Sequence, residues 1–136
     1  MMNFPERPGQ LAMVLHHHLP YVRHPEYEDF MEEDWLHQAV TETYMPLLDV
    51  FERLRAEGVP YRMTVSLTPP LISMLDDPLL RDRTERHMTR LLRLAESELL
   101  RHTDDEARLR LARHSRDHLG PTRARHLAHH RRDRVS

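Results

Sequence analysis

Three consecutive histidines, His16, His17 and His18, end the apolar run Leu11-Ala12-Met13-Val14-Leu15 and lead into Leu19-Pro20-Tyr21-Val22-Arg23. Imidazoles in such a place can hydrogen-bond a polar ligand, carry a proton near neutral pH, or ligate a metal ion. Five apolar residues in a row suit a strand buried on both faces, as in a parallel α/β sheet, where ligands collect at the carboxyl ends of the strands. Successive strand side chains alternate between faces, so His16 and His18 are expected to share one side and His17 to face the other. A catalytic zinc usually takes three protein ligands and keeps one position open, and here only His16 and His18 have suitable spacing. Glu32, Glu33 and Asp34 read instead as the solvated acidic start of a helix, favoured there by the helix dipole. No metal and no cofactor is expected.

The elements that must hold these side chains follow from periodicity. A strand is expected near residues 10–17. Trp35 to Glu57 sets Leu36, Val40, Tyr44, Leu47, Leu48, Phe51 and Leu54 on one helical stripe, with Pro46 bending the helix and Gly58 stopping it. Tyr61 to Leu67 is rich in β-branched residues and ends at Thr68-Pro69-Pro70, which suits a second strand. The next helix is expected to start at Asp77-Pro78, a capping residue followed by proline, and to bury Leu80, Thr84, Met88, Leu91, Leu92, Ala95 and Leu99. Thr103-Asp104-Asp105-Glu106 has capping-box spacing and opens a polar helix expected to end near Leu119. The fold class is therefore α/β, with two β/α units whose strands are adjacent and parallel.

With the elements in place, the residues around the histidines can be compared with known patterns. His16-His17-His18-Leu19-Pro20-Tyr21-Val22-Arg23 resembles the first signature, His-x-His-x-Pro, of glycoside hydrolase family 57, in the form found in its 1,4-α-glucan branching enzymes. The resemblance continues through Glu33-Asp34-Trp35-Leu36, Glu42-Thr43-Tyr44-Met45-Pro46-Leu47-Leu48 and Thr64-Val65-Ser66-Leu67-Thr68-Pro69-Pro70-Leu71, over roughly the first 120 residues. It implies the opening portion of a catalytic (β/α)7 barrel, with residues 1–120 as an N-terminal fragment holding its first two β/α units. It also implies substrate-binding roles for His16, which lines the sugar pocket next to the scissile bond in the family, for His18, and for Trp35, whose ring would pack on a glucose unit. Tyr21 and Arg23 are minor candidates. Each has a structural alternative: a satisfied core histidine for His16 and His18, and an anchor for the first helix for Trp35.

Retaining cleavage of an α-glucan needs a nucleophilic carboxylate and a second carboxylic acid acting as acid and then base. In the family these lie in later signatures, which this sequence does not contain. Asp76, Asp77, Glu96 and Glu98 read as caps or solvated faces, so no catalytic residue is assigned. The expected function is that of a truncated relative of α-1,4-glucan branching enzymes in α-glucan metabolism, inactive alone, with weak glucan affinity. The alternative is a non-catalytic module that binds glucan or a protein. Missing neighbours would leave strand edges open, so self-association or marginal stability is expected.

Composition adds exclusions. The 136 residues hold no cysteine, which removes disulfides and thiolate metal sites. No stretch is long and apolar enough for a secretory leader or a membrane span, and a cytoplasmic location is expected. Every basic residue is arginine, and residues 121–136 carry five arginines and one aspartate after an acidic body. That segment reads as a disordered basic tail. Out-of-frame translation in a GC-rich gene is the favoured origin, over a nucleic-acid-binding arm. No nucleic-acid partner is expected.

Overall fold

A computed structural model describes residues 11–102 and 104–133. The first strand, β1, is Val14–His17. The helix that follows starts as α1, Glu33–Gln38, passes through a π-helical stretch, Ala39–Tyr44, and continues as α2, Met45–Ala56. Pro46 explains the change of winding: it has no N–H to give the carbonyl four residues back, and the preceding turns widen rather than break. The stripe expected from Trp35 to Glu57 is therefore helical, with a π segment where a simple bend was expected. Gly58 ends it at φ +68°, with Val59 N–H donating to Leu54 O (3.0 Å) and Gly58 N–H to Arg55 O (3.2 Å). That pair of bonds is a Schellman stop, and it requires the left-handed backbone that glycine adopts without strain.

The second strand, β2, is Thr64–Leu67. It pairs with β1 in parallel, with His16 opposite Ser66 and His17 opposite Leu67. Thr68-Pro69-Pro70 does more than end this strand, because a helix absent from the sequence expectation, α3, starts there and spans Pro69–Asp76. Thr68 followed by proline at the first helical position is the local signal for it. Next comes α4, Pro78–Arg101, capped as expected by Asp77, whose Oδ1 accepts from Leu79 N–H (2.8 Å) and Leu80 N–H (3.1 Å). Leu80, Thr84, Met88 and Ala95 are buried on its inner side, and Leu91, Leu92 and Leu99 are half-buried. The core joins Val22, Leu36, Val40, Met45, Leu71, Met74, Leu80 and Met88, which brings the loop after β1 together with every helix through α4.

The last helix, α5, runs Glu106–Asp133. Asp105 caps it by accepting from Ala107 N–H and Arg108 N–H, both at 3.1 Å, while Thr103, the expected cap, lies outside the described residues. The helix does not stop near Leu119, and residues 121–133 are helical where a disordered tail was expected; residues 134–136 lie outside the described part. Leu119 and Thr122 are buried, and the arginines find carboxylates on the acidic body: Arg123 reaches Glu85 (3.5 Å) and Thr89 (2.8 Å), and Arg125 pairs with Asp49 and Glu52. Exposed ion pairs contribute little each, so the buried apolar contacts hold this end of the helix and the pairs set its orientation.

Candidate functional site

In a parallel pair, register partners lie on the same side of the sheet, so β1 and β2 present two chemically different faces. Leu15, His17, Val65 and Leu67 face the helices. His17, Val65 and Leu67 line an apolar groove of about 370 Å³ together with Leu36, Val40, Phe51 and Leu75. His17 packs edge-on against Tyr44, with ring centroids 5.0 Å apart. The opposite face carries Val14, His16, Thr64 and Ser66. The expected division is observed: His16 and His18 are exposed with their rings 6.3 Å apart and within 7° of parallel, and His17 is turned away from them. His16 Nδ1 lies 2.5 Å from Ser66 Oγ. Ser66 was not singled out from the sequence, and only the register between strands identifies it.

The loop from His18 to α1 is held at several points. Val22 is buried and its N–H donates to Met74 Sδ (3.2 Å). Arg23 Nε donates to Asp77 Oδ2 (2.6 Å), which ties the loop to the start of α4. Burial alone would push the Asp77 carboxyl up, but the amides of Leu80 and Leu79 and the Arg23 guanidinium hold it below the usual carboxylate range. Tyr21 is exposed.

The strongest tie is one that the sequence reading missed. Glu33 is not part of a solvated acidic helix start: it is 1% exposed and meets Arg83 of α4, itself 5% exposed, at 2.5 Å. Glu33 Oε1 also accepts from His24 N–H (3.0 Å), while the Arg83 guanidinium donates to His24 O (3.1 Å) and Tyr27 O. One buried ion pair thus holds three backbone groups of the loop, on His24 and Tyr27. Trp35, two residues after Glu33, is 50% exposed and makes no ring contact with His16 or His18 among the described residues. The structure brings His16 and His18 together and leaves Trp35 separate on α1.

Beside this clamp His37 is buried between α1 and α4, with Nδ1 2.9 Å from Thr84 Oγ1 and its ring 5.1 Å from that of His87. Burial first, and then the neighbouring His87, lower its pKa from 6.5 to about 4. Burial lowers that of His87 as well, against the pull of Asp34, 3.6 Å away. A histidine held neutral in the fold but free to charge when unfolded stabilises fully above its unfolded pKa and loses that contribution as pH falls toward the folded value. Stability is therefore expected to be flat above about pH 6.5 and to drop by about 3 kcal/mol toward pH 4 from His37 alone. Urea midpoints between pH 7 and 4.5 measure this, and His37→Gln is expected to flatten the decline; an equal acid loss in that variant would assign it to other groups.

Among the described residues no cluster of three or more His, Asp or Glu side chains is arranged to hold a metal ion, and no helix is long and apolar enough to cross a membrane.

Residues 12–123 match the family model of glycosyl hydrolase family 57. The chain is 43% identical over 91 residues to a 1,4-alpha-glucan branching enzyme of Thermococcus kodakarensis, a stretch covering 67% of this chain and 13% of that protein. A probable 1,4-alpha-glucan branching enzyme of Mycobacterium tuberculosis is 39% identical over 71 residues, 52% of this chain and 13% of that one. Among solved structures, the alpha-amylase AmyC of Thermotoga maritima superposes with a TM-score of 0.80 at 39% identity, covering 87% of this chain and 22% of its own. The branching enzyme of Pyrococcus horikoshii superposes at 0.75 and 33% identity, covering 83% of this chain and 21% of its own.

Proposed function

This chain belongs to glycosyl hydrolase family 57, and we propose on that premise that it is the opening part of a catalytic barrel acting on α-1,4-glucan, of the branching-enzyme type. Its two β/α units correspond in this reading to the first two of a (β/α)7 barrel, with the face bearing His16 and His18 turned to the interior. The carrying observation is that parallel, adjacent strands place His16, His18 and Ser66 on the face away from the helices. Each strand has one neighbour among the described residues, so each keeps an open edge where a closed barrel would add another strand. Self-association through those edges belongs to the same proposal.

His16 and His18 would hydrogen-bond sugar hydroxyls, and half-exposed Trp35 would offer a ring to the apolar face of a glucose unit. Polar contacts of this kind set the orientation of a sugar and leave bond cleavage to carboxylates supplied elsewhere. Calorimetric titration with maltoheptaose tests the reading. Weak binding is expected, lowered at least about tenfold by either His16→Ala or Trp35→Ala, which corresponds to about 1.4 kcal/mol. Binding that is unaffected by both substitutions, or no binding by the folded chain, would remove these residues from a glucan site.

A further inference from the structure

The register of the sheet sets Ser66 beside His16, fifty residues away in sequence, and the two side chains meet at 2.5 Å. We propose that Ser66 is a positioning residue: its hydroxyl donates to Nδ1 of His16, fixes the proton of the neutral imidazole on Nε2, and so makes His16 a hydrogen-bond donor toward a sugar oxygen. This rests on the reading of the His16 face as the glucan site.

A neutral imidazole has one N–H and one lone pair, and the hydrogen bond made by one nitrogen decides what the other offers. A hydroxyl can play either part, so the direction depends on where else its hydrogen can go. Among the described residues His16 Nδ1 is the single side-chain partner of Ser66 Oγ. Donation to Nδ1 uses the hydroxyl hydrogen and the Nδ1 lone pair together and leaves the ring N–H on Nε2, facing outward; in the reverse arrangement the exposed hydroxyl would give its hydrogen to water and Nε2 would be an acceptor, and the experiment below distinguishes the two. His18, in the parallel ring 6.3 Å away, has no such partner among the described residues, so the pair consists of one oriented and one unoriented imidazole. The chemistry that results is selective. An Nε2–H donor matches the lone pairs of a hydroxyl or glycosidic oxygen, and it does not accept from a sugar O–H. The site is thereby set up for polarising an oxygen and not for taking a proton from one.

Long-range proton–nitrogen correlation of the histidine rings in the ¹⁵N-labelled chain, at about pH 8 where imidazoles are neutral, reads the proton position directly. His16 is identified by its loss in His16→Ala. The expected result is an Nε2–H form for wild-type His16, a several-fold rise of the Nδ1–H form in Ser66→Ala, and a return to the wild-type pattern in Ser66→Thr, which keeps the hydroxyl. His17, on the other face, is expected to stay unchanged throughout, and a circular dichroism spectrum equal to wild type checks the fold of each variant. A wild-type proton on Nδ1, an unchanged His16 in Ser66→Ala, or a threonine variant that behaves like alanine would each overturn the proposal. Maltoheptaose added to the same samples separates the two readings: His16 signals that ignore the sugar count against the glucan site alone, while the tautomer result stands or falls by itself.

Discussion

The purified 136-residue chain is expected neither to shorten amylose nor to raise its content of α-1,6 linkages. Retaining glycoside cleavage needs two carboxyl groups about 5–5.5 Å apart, one attacking the sugar and one protonating the leaving oxygen. Neither β1 nor β2 contains an acidic residue. Two carboxylates of the segments that follow the strands are engaged in the fold: Asp77 caps α4 and holds Arg23, and Glu33 is paired with Arg83. Loss of a single integral catalytic group commonly removes several orders of magnitude in rate, and the proposed function assigns neither member of the pair to these residues. Iodine staining, reducing-end release and proton NMR of the glucan are the measurements. Branching by highly purified material that disappears in His16→Ala would mean that a complete catalytic site exists within these residues.

Arg83→Met is expected to destabilise the chain by about 3–5 kcal/mol, because it leaves the Glu33 carboxylate buried without its counter-charge. The loss also removes the guanidinium bonds to His24 O and Tyr27 O, so the loop after β1 is released along with the charge. The double variant Arg83→Met with Glu33→Leu is expected to recover most of that stability, since replacing a buried ion pair by apolar groups of similar volume is often close to neutral. Urea unfolding followed by the emission of Trp35, the single tryptophan, measures all three proteins. A double variant as unstable as the single one would show that the backbone ties, and not the orphaned charge, carry the cost. A single variant within 1 kcal/mol of wild type would show that the pair does not hold the loop.

Both experiments turn on contacts that differ in how far they can be read from the sequence. The alternation of a strand is a property of the backbone, so the sequence alone establishes that His16 and His18 share a face and His17 does not. Gly58 as a stop, Asp77 as a cap and the stripe from Leu36 to Phe51 are equally local, because each depends on residues within one or two helical turns. The α3 helix and the π segment before Pro46 also have local signals, in Thr68-Pro69-Pro70 and in the missing N–H of Pro46, but the chemistry of proline marks a disruption more clearly than it marks its resolution. Three features required the tertiary structure. Glu33 looks solvated in sequence, and it is buried because Arg83 arrives from α4, fifty residues on. Ser66 is an ordinary strand serine until the parallel register sets it against His16. The arginine-rich end of the chain looks unable to order itself, and it orders by burying Leu119 and Thr122 and by pairing with Asp49, Glu52 and Glu85 on helices far away in sequence. Local composition describes what a segment can do by itself; the free energy of an ion pair or a buried methyl group depends on its partner, and the fold determines which partner that is.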